Sequence, residues 1–250
     1  MKVFSINGLH RGGKTTAVEG LIKFLRAQRQ SVSSIKDIHA ENWTMEREGS
    51  NSFRHLQASN TCVIARGHRE THQIWNRQLS FKEMLAQLHT DWVIIEGMNE
   101  VPLPKIITAQ NQAEADQLMS DTVFAITGKF SEIVSEYQNI PCLNAQTQIE
   151  ILGNLVLAKV FDVLPFTQNG FCGHCGYNCK ELTALILQQQ KTRQDCSMNS
   201  PQKIKILFNE EEILLNGWVE KVTQDLLLAF CQNLKGYQKG CKIEITLEDD

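Results

Sequence analysis

Apolar residues from Val3 to Asn7 form a short run that ends in a glycine-rich turn, the pattern of a buried strand. Between Gly13 and Gln28 the apolar positions are Ala17, Val18, Leu21, Ile22 and Leu25, which predicts an amphipathic helix. Ser31 to Lys36 reads as a second strand, and Lys36 to Ser50 as a long polar loop. A short helix over Asn51 to Ser59 and a strand over Thr61 to Arg66 follow. Ser80 and Glu83 have the spacing of an N-cap box and open a helix ending near His89. Asp91 to Glu96 is almost continuously apolar, as a central strand of a parallel sheet should be. Lys105 to Ala109, Thr122 to Thr127 and Pro141 to Leu143 read as further strands with helical stretches between them. Repeated βα units with buried strands predict an α/β fold with a doubly wound, mostly parallel sheet.

Beyond residue 163 the pattern changes. Pro165, Asn169 and Gly170 mark a boundary, so the expected division is a nucleotide-binding domain over 1–163 and a small cysteine-rich α+β domain over 164–250. In the second part a helix is predicted over Lys180 to about Gln190. A β-β-α-β tail spans 203–247: strands at Lys203 to Phe208 and Glu212 to Leu215, a helix from Trp218 to Leu234, and a strand at Lys242 to Leu247.

Two such domains are comfortable in 250 residues, and 42% hydrophobic residues suffice for packed cores. The formal net charge of −3 gives no basic excess for nucleic acid or an anionic membrane surface. The longest apolar stretches fall far short of the ~18 residues of a membrane helix. The first residues are too short an apolar run for a signal peptide, so the expected location is cytoplasmic.

Gly8-Leu9-His10-Arg11-Gly12-Gly13-Lys14-Thr15 matches G-x-x-x-x-G-K-[ST] in full, between an apolar strand and an amphipathic helix. Glycines let backbone N–H groups converge on phosphate oxygens, and the helix turns its positive end toward them. Lys14 is expected to neutralise the β- and γ-phosphates, the Thr15 hydroxyl to ligate Mg²⁺, and Thr16 to donate toward the α-phosphate. Glu96, at the end of Asp91-Trp92-Val93-Ile94-Ile95-Glu96-Gly97, is placed to hold Mg²⁺ or orient an attacking water. Asp37 is either another carboxylate around Mg²⁺ or a loop cap; His39 and Arg54 are weaker candidates in or beside the same loop. Thr127-Gly128-Lys129-Phe130 lacks the Asp of a guanine-reading motif, so these residues specify a purine nucleoside triphosphate and no particular base.

Cysteine is the second chemical signal. Of eight cysteines, Cys172, Cys175, Cys179 and Cys196 share one 25-residue window, spaced C-x2-C-x3-C-x16-C. Clustered thiols in a reducing compartment more often hold metal than form disulfides. Four thiolates suit a [4Fe–4S] cluster, with Gly173 and Gly176 allowing a tight wrap; zinc, which favours paired C-x2-C knuckles, is the alternative, and no metal a third. His174 is a surface residue or a substitute ligand, and Cys62, Cys142, Cys231 and Cys241 read as ordinary core or surface thiols.

Four stretches together resemble the MobB family of molybdopterin-guanine dinucleotide biosynthesis: Gly12 to Thr16, Ile35 to His39, Glu48 to His55, and Val93 to Gly97 with Leu103 to Ile106. The resemblance covers about residues 1–163. It implies a P-loop fold, GTP binding with weak hydrolysis, and an accessory role in molybdenum cofactor biosynthesis. The implied partners are a MobA-like nucleotidyltransferase or a molybdoenzyme apoprotein, a molybdopterin-type cofactor, and a second copy of the chain in a homodimer. Carried over are Gly13, Lys14, Thr15 and Thr16 at the phosphates and Mg²⁺, and Glu96 at the Walker B position. Leu9-His10-Arg11, Asn51, Ser59 and Asn99 depart from the family pattern. Phe171 to Cys196 resembles small Fe–S modules attached to some MobB-like proteins. Other readings of the same residues are a P-loop small-molecule kinase and an Fe–S redox or sensor protein with a regulatory nucleotide domain.

Overall fold

A computed structural model of the chain describes residues 1–40, 43–166, 175–196, 204, 206–208, 211–213, 217–238 and 243. The chain divides into two compact units, Met1–Val163 and Leu164–Asp250.

The first unit begins with β1 (Lys2–Gly8), α1 (Lys14–Ala27), β2 (Val32–Lys36), α2 (Asn51–Ser59), β3 (Cys62–Arg66) and β4 (Thr71–Trp75). It continues with α3 (Phe81–Ala86), β5 (Trp92–Glu96), β6 (Lys105–Thr108), α4 (Gln112–Leu118) and β7 (Val123–Thr127). Two short strands, β8 (Glu136–Tyr137) and β9 (Ile140–Pro141), precede α5 (Ile149–Lys159). The central sheet has five strands in the order β2-β5-β1-β6-β7, and every neighbouring pair is parallel. Cys142 adds a parallel bridge to Ile126 at the β7 edge, one residue beyond β9.

A parallel strand covered on both faces must be apolar throughout. Val93, Ile94 and Ile95 are 0% exposed, as are Ile106 and Ile107 of β6. Burial of each such side chain contributes roughly 1.5–3 kcal/mol. Trp92 closes the lower end of the core, edge-on to Phe4 and hydrogen-bonded through its indole N–H to Gln30. At that same end the Asp91 carboxylate accepts from the Ser31 hydroxyl and amide. Those two bonds hold its carboxyl below the usual range and leave Asp91 at the opposite end of β5 from Glu96.

Helix α1 buries Ala17, Val18, Leu21 and Leu25. It packs against α5, where the missing side chain of Gly153 makes room for Phe24; a Cβ there would lie 2.3 Å from the ring. The box at α3 forms as its sequence predicts, with Ser80 Oγ and the Glu83 carboxylate capping each other's backbone. Arg77 and Ser80 hold the exposed Glu83 carboxyl down to about 2.

Two elements differ from the sequence pattern. Cys62 to Arg66 is a strand, but it joins β4 in an antiparallel two-stranded ribbon outside the central sheet. Its half-exposed alternation, unlike the solid burial of β5, is what a ribbon edge requires. The Pro141 to Leu143 strand is reduced to Ile140–Pro141, paired with β8.

In the second unit the described elements are α6 (Cys179–Leu187), β10 (Ile206–Phe208), β11 (Glu211–Ile213) and α7 (Gly217–Cys231). Strands β10 and β11 form an antiparallel pair. Helix α6 is capped by Asn178 and Glu181 and buries Leu182, Thr183 and Leu187. The strand expected at Lys242 to Leu247 lies outside the described residues. Among the described residues no helix is long and apolar enough to cross a membrane.

Candidate functional site

Parallel sheets place ligands at the C-terminal ends of their strands, where the order switches direction. Here β1 lies between β5 and β6, and its C-terminal end runs straight into the glycine loop. Gly8 is the hinge of that transition. A Cβ on it would fall 2.0 Å from Thr108 Oγ1 and 2.8 Å from the Thr108 carbonyl on β6. Gly12 is buried against the same threonine, and its amide closes a turn onto the Leu9 carbonyl at 3.2 Å. Gly13 has φ +93° and open space where a side chain would stand. Arg11 is also left-handed at φ 59°, and its exposed side chain extends from the loop.

Gly13 is the N-cap of α1, and no side chain caps that end. Helices α2, α3, α4 and α6 are each capped by a serine or asparagine. The uncapped first turn of α1 therefore leaves backbone N–H groups available to an anion. Lys14 curls over the loop, its Nζ 2.9 Å from the Gly8 carbonyl and 2.7 Å from that of Leu9. An ammonium has three donors, so one remains for a phosphate oxygen once these two carbonyls are satisfied.

Thr15 donates its hydroxyl to the Glu96 carboxylate, 3.2 Å from Oε1 and 3.1 Å from Oε2. Glu96 is opposite Ile6 in the β1–β5 register and opposite Lys36 in the β2–β5 register. Lys36 Nζ closes an ion pair with it at 3.1 Å. A hydroxyl and a carboxylate in contact beside a phosphate loop are the hard oxygen donors that Mg²⁺ takes. The residues present thus fit that ion.

Asp37 is placed otherwise. Its carboxylate accepts the Met98 amide at 3.2 Å and lies 3.5 Å from His39 Nε2. Gly97, at φ +102°, passes so close that a Cβ would meet Asp37 Cβ at 3.0 Å. Asp37 pins the turn that follows Glu96, whereas Thr15 and Glu96 meet each other directly. Thr16 is exposed one residue on in α1.

A second support behind Glu96 was not legible as a motif. Asn7 Nδ2 donates to the Gly97 carbonyl at 3.2 Å, and Ser5 Oγ donates to Asn7 Oδ1 at 2.7 Å. Lys105, only 6% exposed, places its Nζ 2.6 Å from the Asn99 carbonyl and 3.1 Å from Asn99 Oδ1. The one sequence signal for this brace is a lysine at the head of an otherwise apolar strand. Together Asn7, Lys105 and Asp37 fix the 97–99 turn from both sides.

A family model for molybdopterin guanine dinucleotide synthesis protein B, MobB, matches residues 3–129. The chain belongs to the MobB family. A putative molybdopterin-guanine dinucleotide biosynthesis adapter protein of Methanocaldococcus jannaschii is 24% identical over 99% of this chain and 98% of its own length. The molybdopterin-guanine dinucleotide biosynthesis adapter protein of Haemophilus influenzae is 34% identical over 42% of this chain and 61% of its own. The crystal structure of Bacillus subtilis MobB superposes with a TM-score of 0.55 at 22% identity, covering 65% of this chain and 100% of that one. That superposition shows the shared fold. The MobB fold therefore occupies about two thirds of the chain, and the archaeal relative aligns through the remainder as well.

In the second unit, Cys179 opens α6 and is 6% exposed, and Cys196 is 3% exposed. Cys175 is half-buried, with its Sγ 3.5 Å from the Tyr177 carbonyl. Gly176 takes φ +80° in the intervening turn. Cys172 and His174 lie outside the described residues. Among the described residues no group of three or more His, Cys, Asp or Glu side chains is gathered to hold a metal. The thiols have the right chemistry for an iron–sulfur cluster, but Cys175, Cys179 and Cys196 are not brought together around one. Of the scattered thiols, burial and nearby Glu136 push the Cys142 thiol up.

Proposed function

We propose that this chain is a GTP-binding adapter protein of molybdopterin guanine dinucleotide biosynthesis, with weak GTPase activity at most. The observation that carries the reading is the contact between the Thr15 hydroxyl and the Glu96 carboxylate beside a loop braced by Lys14. Membership of the MobB family supplies the pathway.

In this reading the uncapped turn of α1 receives the phosphates, with Gly8, Arg11, Gly12 and Gly13 shaping the loop. Lys14 is the catalytic cation, with the donor left over from the two loop carbonyls serving the charge that develops on the outer phosphate. Thr15 and Glu96 would hold Mg²⁺, which when bound neutralises phosphate charge. Glu96 also orients the attacking water. Thr16 donates toward the α-phosphate, and Asp37 acts through the turn it pins. The adapter role is to present nucleotide or cofactor to a MobA-like transferase or an apoenzyme.

The test is Mg²⁺-dependent GTP binding by calorimetry. The intact chain is expected to bind GTP more tightly with Mg²⁺ than with EDTA, and Glu96→Gln to lose most of that difference. Equal affinity in the two buffers for the intact chain would remove the metal assignment.

We further propose that Cys172, Cys175, Cys179 and Cys196 hold a [4Fe–4S] cluster, with zinc as the alternative. Their spacing supports it; among the described residues Cys175, Cys179 and Cys196 are not gathered, so a cluster would have to draw them together. Protein purified without oxygen is expected to be brown with about four irons per chain. A colourless protein with one zinc would replace the cluster by a structural metal.

A further inference from the structure

The Glu96 side chain is 12% exposed, so its charge is largely withdrawn from water and needs a compensating partner. Among the described residues two side chains reach its carboxylate, the Thr15 hydroxyl and the Lys36 ammonium, and only the second is charged. Lys14 is taken up by the Gly8 and Leu9 carbonyls, and His39 lies against Asp37.

The pairing is built in by register. Lys36 stands opposite Glu96 at the ends of β2 and β5, and residues paired across neighbouring parallel strands project from the same face. Strand β2 is the edge of the sheet, and the Lys36 side chain is 58% exposed. Its ammonium therefore comes in from solvent on a flexible stem, while the carboxylate it covers is almost enclosed. An ion pair with one solvated, mobile partner is held weakly enough to exchange. In the empty site Lys36 supplies the counter-charge that Glu96 needs. A divalent cation brings twice that charge to the same oxygens, so the two compete for one carboxylate.

We infer that Lys36 is a placeholder for the metal: it neutralises Glu96 in the empty site and must leave the carboxylate before Mg²⁺ can be held there. Lys36 thereby sets the Mg²⁺ concentration that nucleotide binding requires. It is a positioning residue, acting through Glu96 and not on the phosphates. The inference rests on the assignment of Glu96 to Mg²⁺ in the adapter reading.

The experiment measures the free Mg²⁺ that gives half of the metal's enhancement of GTP binding, by calorimetric titration of the full chain over a range of Mg²⁺ concentrations. It compares the unaltered chain with Lys36→Met, Lys36→Gln, Lys36→Arg and Lys23→Met. The first two remove the charge and keep an unbranched stem, and the third keeps the charge. Lys23 is exposed about 12 Å along α1 from Thr15, so its variant removes the same net charge away from the site. Relieving a competition of ordinary surface-pair strength is worth about three- to fivefold. The Mg²⁺ midpoint is accordingly expected to fall by about threefold or more in both charge-free variants. It is expected to change less than that in Lys23→Met, and to hold or rise in Lys36→Arg. A lysine that served only strand pairing would have no reason to lower the midpoint when removed. A smaller fall or a rise in the charge-free variants overturns the inference, as does an equal fall in Lys36→Arg or Lys23→Met. Each of those results leaves the adapter reading standing. An unaltered chain whose GTP binding is indifferent to Mg²⁺ overturns the inference and the metal assignment together.

Discussion

Lys14→Ala is expected to abolish GTP binding to within the limit of calorimetry, a loss of about thirtyfold or more. The magnitude follows from removing one partner of a desolvated, hydrogen-bonded charge pair, which costs roughly 2–5 kcal/mol, and about 1.4 kcal/mol is tenfold. The protein should remain folded. Lys14 gives the apo loop only its bonds to the Gly8 and Leu9 carbonyls, both at the surface end of the sheet. Their loss is worth about 1 kcal/mol each at most, a few degrees of melting temperature. Calorimetric titration with GTP and Mg²⁺, paired with a thermal melt, separates the two effects. Unchanged affinity would show that the triphosphate is held elsewhere.

The second large effect is structural. Gly128→Ala is expected to lower the stability of the first unit by about 2–4 kcal/mol, roughly 5–15 °C in melting temperature. Gly128 has φ +93°, and a Cβ on it would lie 2.6 Å from the Ala109 carbonyl oxygen and 3.1 Å from the Ala109 nitrogen. Both obstacles are backbone, so neither can rotate away. The turn also directs the Phe130 amide onto that same carbonyl at 3.0 Å and seats Phe130 in the core with Ile107, Ile126 and Cys142. Gly49→Ala is the control. Gly49 has φ +79° but nothing within 4 Å of its missing side chain, so only the strained backbone is charged, about 1 kcal/mol. If thermal melts of the two variants coincide, the close approach to β6 is not what demands glycine at 128.

Gly128 has a structural duty that its sequence context does not announce. Thr127-Gly128-Lys129-Phe130 invites comparison with base-reading motifs, yet its glycine serves a strand-end turn. The phosphate loop was legible because its requirements are local: fixed glycine spacing, a strand before and a helix after. The buried strands were legible for a similar reason, since Val93 to Ile95 cannot be solvated in any arrangement. Strand β4 was not, because Thr71 to Gln73 are exposed and carry no apolar alternation. The ion pair of Lys36 with Glu96 depends on the register of strands 60 residues apart in the chain. The Lys105 brace likewise depends on a turn that only the assembled sheet brings to it.

The strand order has a consequence for biosynthesis. The strand at the centre of the sheet, β1, is the first to leave the ribosome, and both its neighbours are translated about 90–100 residues later. At roughly 5–20 residues per second the nascent β1 waits on the order of 5–20 s before Trp92 to Glu96 can pair with it. Throughout that interval Val3, Phe4 and Ile6 have no sheet to enter, and the triphosphate loop has no frame. A chaperone that shields short apolar segments would find a target there, at residues that later become fully enclosed.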